Sequence, residues 1–229
     1  RYFTQNQDYI PTETESGEID AREWNTHLKL DNTYNKKWSS YFEFYATQYK
    51  TEDYLNNIND GSLFSESDYN ELLIRPEIRA TFSPNDNTKF IGGLGMDHEE
   101  LQRTDFSEDP IFNSPYIYLQ YDTTFKDKLN IILGARFDNH NEYDSQFSPK
   151  VALRYEISDK LAFKGSVGYG FKAPDFRQLY FDLLGIGGYT ILGYNVVKTR
   201  IPEMIVSGEI NSDNDIVIPL SFFDGALKP

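Results

Sequence analysis

With 36 acidic against 22 basic residues in 229, a net charge of -14, the chain lacks the basic surface that phosphate backbones require, which sets nucleic acid aside as a partner. No cysteine is present, so neither a disulfide framework nor a thiolate metal site is available. No stretch approaches the roughly 18 apolar residues of a membrane helix, yet the mean hydropathy of -0.59 does not exclude membrane strands, which show lipid only alternate residues.

Period-two alternation recurs eight times in the first 172 residues, with almost no helical periodicity. The first face carries Trp24, Thr26, Leu28 and Leu30; the second runs from Trp38 through Phe42 and Phe44 to Gln48. The third and fourth place Ile74, Pro76, Ile78, Ala80 and Phe82 together, then Phe90, Gly92, Leu94, Met96 and His98. The fifth and sixth hold Ile117, Leu119, Tyr121 and Phe125, then Leu129, Ile131, Leu133, Ala135 and Phe137. The seventh runs from Phe147 to Ile157 and the eighth from Leu161 to Phe171. None of these faces carries Asp, Glu, Lys or Arg, although a quarter of the chain is charged. The opposite faces carry Lys29, Glu43, Arg75, Glu77, Arg79, Asp97, Arg136, Asp138, Lys164 and Lys172 among others.

Connections alternate in length. Short turns are read at Asn32–Lys37, Ser83–Thr88, Lys126–Lys128 and Ser158–Lys160, and longer loops at Thr51–Tyr69, Glu99–Ser114, Asn139–Ser145 and Ala173 to about Ala226. All tight turns therefore fall at one end of the sheet, the asymmetry of outer-membrane barrels with short periplasmic turns and long extracellular loops. Trp38, Phe82, Phe90, Phe125, Tyr155, Ile157 and Phe163 gather near the short-turn end, where an interfacial aromatic girdle belongs. The expected fold is all-β: an antiparallel transmembrane β-barrel segment of about eight strands over residues 20–172, followed by the long loop. A stand-alone eight-stranded outer-membrane barrel of structural or adhesive role, and a soluble ligand-carrier barrel with the dry face inside, are the alternatives.

The stretch GARFDNHNEYDSQFSPKVALRYEISDKLAFKGSVGYGFKAPDFRQLYF, residues 134–181, resembles the barrel of TonB-dependent outer-membrane receptors. The resemblance rests on Gly134, Arg136 and Asp138; on Ser148, Pro149 and Lys150; on Gly170 to Pro174; on Gln178, Leu179 and Tyr180; and on Leu227, Lys228 and Pro229. It implies roughly 22 strands around a plugged lumen, of which 1–229 would be a part. It also implies a plug and a short segment contacting the energy-transducing TonB complex. Neither is read ahead of Arg1, and the lack of an initiator Met or signal peptide marks a processed or excised piece. The implied role is uptake of an iron complex or similar scarce nutrient across the outer membrane of a Gram-negative bacterium, with membrane lipid around the barrel. A siderophore ranks ahead of haem, because no histidine lies between Phe171 and Pro229 and FDGA at Phe223–Ala226 stands where an N-P-[ND]-L element belongs.

No catalytic constellation, cofactor or metal site is read, and the chain is not expected to be an enzyme. His27, His98 and His140 are scattered. Asp138–Asp144 and Asn211–Asp215 hold oxygen ligands at short spacing, as calcium loops and ordinary polar loops both do. With the dry face outward, candidate ligand-binding residues are Tyr49, Arg75, Tyr116, Tyr118, Arg136, Lys172, Arg177 and Tyr180. Tyrosines with cations suit an aromatic anion such as a ferric catecholate. Gly165, Gly168 and Gly170 thin the last strand, either for something inside the barrel or as a plain bend. The apolar run Phe181, Leu183, Leu184, Ile186, Tyr189, Ile191 and Leu192 must fold on itself, a ligand or a partner. Val196–Ile210 reads as a short helix that Pro202 argues should break.

Overall fold

A computed structural model describes residues 15–184, 189–210 and 218–225. Eight antiparallel strands form one sheet in chain order: β1 (Glu15–Thr33), β2 (Trp38–Asn57), β3 (Leu63–Asn85), β4 (Thr88–Arg103), β5 (Ile111–Phe125), β6 (Leu129–Asp138), β7 (Gln146–Ser158) and β8 (Leu161–Gly168). Every strand pairs only with its chain neighbours among the described residues, so β1 and β8 are the two edges. This is the meander that alternation with short turns dictates.

The four predicted short turns close one end. At the β5–β6 turn the Lys128 amide donates to the Phe125 carbonyl (3.1 Å), with Lys126 and Asp127 both at positive φ (48° and 57°). That is the primed geometry matching strand twist, which normally selects Asn-Gly. Replacing Lys126–Asp127 by Asn-Gly is expected to stabilise the hairpin by about 1 kcal/mol, read as a shift of the urea midpoint for barrel unfolding.

The other end differs from expectation. Thr51–Tyr69 is not a long loop: β2 and β3 continue pairing to Asn57 and Leu63 and close on a tight turn. There Gly61 takes φ +69° and its amide donates to the Asn57 carbonyl (2.8 Å). Likewise the β4–β5 connection shrinks from Glu99–Ser114 to residues 104–110. In the β2–β3 extension charged residues fall on both faces, and in the β4–β5 extension the apolar Leu101 and Phe112 lie on the charged face, so the dry-face signal stops where the hydrogen-bond ladder continues. The eighth strand ends at Gly168, short of the expected Phe171.

The dry face is the solvent-accessible one. Leu28, Leu94, Ile117, Leu119, Phe147, Val151, Phe163 and Val167 are all exposed, as a lipid-facing wall requires. At the short-turn end a belt of rings crosses four strands: Trp38 stacks on Phe82 (4.5 Å), Phe82 on Phe90 (6.2 Å), and Phe90 meets Tyr121 (5.0 Å). Toward the other end an amide ladder crosses the same face. Trp24 Nε1 donates to Gln48, Gln48 to Asn70 and Asn70 to Gln102, each at 2.9 Å. From Trp38 to Gln48 a strand tilted about 45° climbs roughly 23 Å, close to the ~25 Å apolar band of outer-membrane barrels. An apolar groove across Ile78, Leu94, Ile117, Leu119, Phe137 and Phe147 lies in this band and therefore faces lipid.

After β8 the chain folds back over the long-loop end as a small cap: α1 (Phe176–Tyr180), β9 (Asp182–Leu184), β10 (Thr190–Leu192), α2 (Val197–Ser207) and a 3-10 turn (Leu220–Phe223). The helix read over Val196–Ile210 forms as α2 and runs through Pro202 without a break, ending at Gly208 with φ +81°. Helix α1 starts with a reciprocal cap. The Gln178 amide donates to Asp175 Oδ1 (2.9 Å), and the Asp175 amide donates to Gln178 Oε1 (3.0 Å).

The buried cluster joins the cap to the upper ends of β4 and β5: Leu101 and Phe112 from the sheet with Phe176, Leu179 and Tyr180 from the cap, flanked by Tyr69, Phe106 and Tyr194. Phe112 and Phe176 stack at 3.9 Å, and Phe106 pairs by a β-bridge with Phe181. Of the apolar run, Phe181, Leu183 and Leu192 are half-buried, while Leu184, Tyr189 and Ile191 stay exposed. Ile186, Asn211–Asp215, Ala226 and Leu227–Pro229 lie outside the described residues.

Candidate functional site

The face opposite the dry one becomes the lumen lining, and alternation delivers four of the eight candidate residues to one place. Arg75 (β3), Tyr116 and Tyr118 (β5) and Arg136 (β6) converge; Arg75, Tyr116 and Arg136 line a cleft of about 680 Å³ with His27, Glu43, Tyr45, Glu77 and Asp97. Arg75 forks onto Asp97, Nε to Oδ1 at 2.6 Å and Nη2 to Oδ2 at 3.1 Å. Arg136 donates to Asp138 (2.8 Å) and lays its guanidinium over the Tyr116 ring, 3.8 Å from the centroid. Both tyrosines donate to one carboxylate: Tyr116 to Glu77 Oε2 (2.7 Å) and Tyr118 to Glu77 Oε1 (2.8 Å). Beside Glu77 on the neighbouring strand Glu43 accepts from Tyr41 (2.5 Å) and contacts His27 Nε2 (2.6 Å), while Arg79, one step toward the short-turn end, lies over the Tyr41 ring at 4.4 Å.

The other four candidates sit elsewhere. Tyr49 is higher on the lumen face, edge to face with Tyr69 (6.0 Å), in a second cleft of about 570 Å³ with Asp53, Glu71, Arg103 and Asp105. Lys172 is exposed beyond the end of β8. Arg177 is exposed on α1 beside Asp175 (3.7 Å). Tyr180 is buried in the cap cluster and donates to Glu142 (2.6 Å). Gln178, Leu179 and Tyr180, the motif residues of the resemblance, are thus the cap residue and packing face of α1.

None of the three histidines approaches another. His98 lies on the outward face between Asn113 (2.8 Å) and Glu100 (2.9 Å). In the Asp138–Asp144 loop Asp138 Oδ1 takes Arg136, Asn139 takes Ser145, and Asn141 takes the Asn113 amide, while Asp138 Oδ2 is buried without a hydrogen-bond partner. Of the thin eighth strand, Gly170 has open space around it and Gly168 only a near approach to the Pro149 carbonyl. The glycines that matter are Gly93 and Gly95 on β4, beneath the two tyrosines, which the sequence reading missed along with Glu77.

The cap is latched to the β6–β7 loop. Glu142 accepts from Tyr180 and from Asn195 (3.2 Å), and its own amide donates to His140 Nδ1 (3.0 Å). His140 stacks on Tyr143 (3.7 Å) and takes the edge of Phe112 (4.8 Å). Burial pushes the His140 imidazole from its ordinary value near 6.5 down to about 4, and pushes the Tyr143 phenol up to about 12. A freed loop binds this proton more readily than the latched one. The latch is therefore at full strength above about pH 6.5 and loses up to about 3 kcal/mol as pH falls toward 4. Amide protection factors across 173–210, taken relative to the intrinsic exchange rate at each pH, are expected to fall over that window in the native protein and to stay constant with pH in His140→Leu.

The family described as TonB dependent receptor-like, beta-barrel, matches residues 1–209. The chain belongs to that family. A probable TonB-dependent siderophore receptor PirA of Acinetobacter baumannii is 31% identical over 61 residues, 27% of this chain and 8% of that protein. An iron-regulated outer membrane virulence protein of Vibrio cholerae is 26% identical over 127 residues, 52% of this chain and 19% of that protein. The crystal structure of the siderophore receptor PirA from Pseudomonas aeruginosa aligns with 73% of this chain and 40% of its own, at 16% identity and a TM-score of 0.45. The chain thus spans well under half the length of the relatives it matches.

Proposed function

We propose that this receptor barrel serves the uptake of iron held by a siderophore at the outer membrane of a Gram-negative bacterium, driven through the TonB complex. The reading draws on its relatives, a probable siderophore receptor and an iron-regulated outer membrane virulence protein. The observation that carries it is the group of Arg75, Arg136, Tyr116 and Tyr118 on the lumen face just below the cap. Guanidinium groups at a lumen mouth, one of them laid on a tyrosine ring, are suited to the anionic oxygen shell of a ferric chelate, through charge-assisted bonds and stacking. Haem is the weaker ligand: His140 is walled in by Phe112 and Tyr143, and His98 points to the outward face.

A strain stripped of its own iron receptors, carrying the full-length gene, tests this. Growth in iron-poor medium is expected with ferric siderophores supplied and to depend on TonB. Equal growth of receptor-positive and receptor-negative strains on every ferric siderophore, with a difference only on haem or cobalamin, would reject it.

A further inference from the structure

The two tyrosines lie flat, and three features hold them so. Strand β4 carries Gly93 opposite Tyr118 and Gly95 opposite Tyr116. A β-carbon on Gly93 would sit 2.5 Å from the Tyr118 Cζ and hydroxyl. One on Gly95 would sit 2.5 Å from the Tyr116 hydroxyl and 2.8 Å from the Pro76 carbonyl. The rings thus cross β4 in a trough that only glycine leaves open, and they end on β3, where Glu77 accepts both phenol hydrogens. The rings run near-parallel, 6.3 Å apart and 24° off plane. On top of Tyr116 rests the Arg136 guanidinium, oriented from the far side by Asp138 at 2.7 Å. Tyr116 is consequently only 7% exposed, while the Arg136 side chain is 43% exposed.

This order of layers (glycine floor, tyrosine ring, guanidinium) separates contact from support. The phenol hydrogens are committed to Glu77, so neither tyrosine offers a donor to the lumen. The open surface is the upper plane of Arg136, a flat cation that stacks on aromatic rings as a lysine ammonium does not. We propose that Glu77 is a positioning residue: through Tyr116 and Tyr118, laid across Gly93 and Gly95, it holds the Arg136 plane toward the lumen to stack on an aromatic, anionic part of the ligand. The proposal rests on the iron-chelate reading above.

The test uses the full-length receptor purified in detergent, with fluorescence quenching by two probes: the ferric complex of a tris-catechol chelator and ferric citrate, an anion without rings. Arg136→Lys keeps the charge and removes the plane. It is expected to lose about tenfold in tris-catechol affinity, the size of a desolvated cation–π contact, and at least threefold less for citrate. Glu77→Ala is expected to show the same ring-selective loss, and Glu77→Gln, which still accepts a phenol hydrogen, to recover most of it. Tyr116→Phe keeps the platform but not the tie and is expected to fall between. Heat-modifiable migration of each variant checks that the barrel has formed. Should Arg136→Lys and Glu77→Ala bind both probes within twofold of the native receptor, or lose both equally, the positioning role is overturned. Should the native receptor bind neither probe nor any ferric siderophore, the uptake reading falls and takes this one with it.

Discussion

Leu119→Arg is expected to keep the barrel from its inserted, heat-modifiable state, while Gln120→Arg, one residue along, leaves insertion intact. Leu119 is 62% exposed in the middle of β5, flanked by Gly92 on β4 and Ala135 on β6. It stands within the apolar band, two residues along β5 from Tyr121 of the ring belt and well short of the outer polar ladder. An arginine facing lipid costs about 2–4 kcal/mol at the bilayer midplane and less toward either interface, a sizeable share of the 5–15 kcal/mol typical of a folded protein. Gln120 points to the lumen between Ile91 and Gly134, where an added cation meets water and an acidic lining. The fraction folded in urea, read by gel migration, should therefore separate the two variants. Equal behaviour would mean that the lipid-facing and lumen-facing sides have been assigned the wrong way round.

That pair of neighbours also shows why the membrane part of the fold was legible in the sequence. Lipid demands an uncharged, mostly apolar residue at every second position, and the dry-face positions of the eight strands carry no Asp, Glu, Lys or Arg. Above the membrane both faces of β2 and β3 meet water. Glu52 and Asp53 then take both faces, as do Tyr54 and Leu55, and pairing is carried by backbone bonds that leave no period-two side-chain pattern. Residues 51–69 were therefore read as loop. Asp60–Gly61 was the one turn signal within them. Helix α1 has five residues, too few for a period, but its Asp175–Gln178 spacing is a capping signature readable without a structure.

The site divides along the same line. Arg75, Tyr116, Tyr118 and Arg136 came together because strand alternation assigns a face, and the face is all that their grouping needed. Lys172, Arg177 and Tyr180 follow the last strand, where no period predicts direction, and the structure turns Tyr180 inward to pack the cap. Glu77, Gly93 and Gly95 were missed for a different reason. Their role appears only when β3, β4 and β5 are set in register, and the β4–β5 connection is of a length from which register cannot be counted. The run Gly92, Gly93, Leu94, Gly95 facing a strand with Tyr116 and Tyr118 was the available clue.

Leu179→Ala is expected to release the cap without unseating the barrel. Leu179 is 0% exposed and sits among Leu101, Phe112, Phe176 and Tyr180. Truncating a leucine so enclosed costs about 2–5 kcal/mol. The cap has few other anchors on the sheet: the Glu142 latch, the Phe106–Phe181 bridge and the Asp182 amide on the Asp105 carbonyl (2.9 Å). Losing about 3 kcal/mol from local opening raises the open population on the order of 100-fold, so protease cleavage within 173–210 should accelerate accordingly. Gly193→Ala should do the same by a different route. Its β-carbon would stand 2.3 Å from the Leu179 carbonyl carbon and 2.4 Å from the Tyr180 amide nitrogen, backbone atoms that cannot step aside. Val206→Ala, at a side chain 89% exposed on α2, removes a similar volume from solvent and should leave cleavage unchanged. If Leu179→Ala is cut no faster than Val206→Ala, the cap is not held by its buried face. If gel migration of the Leu179→Ala barrel is lost as well, the cap is part of the barrel's cooperative unit and not a separately opening layer.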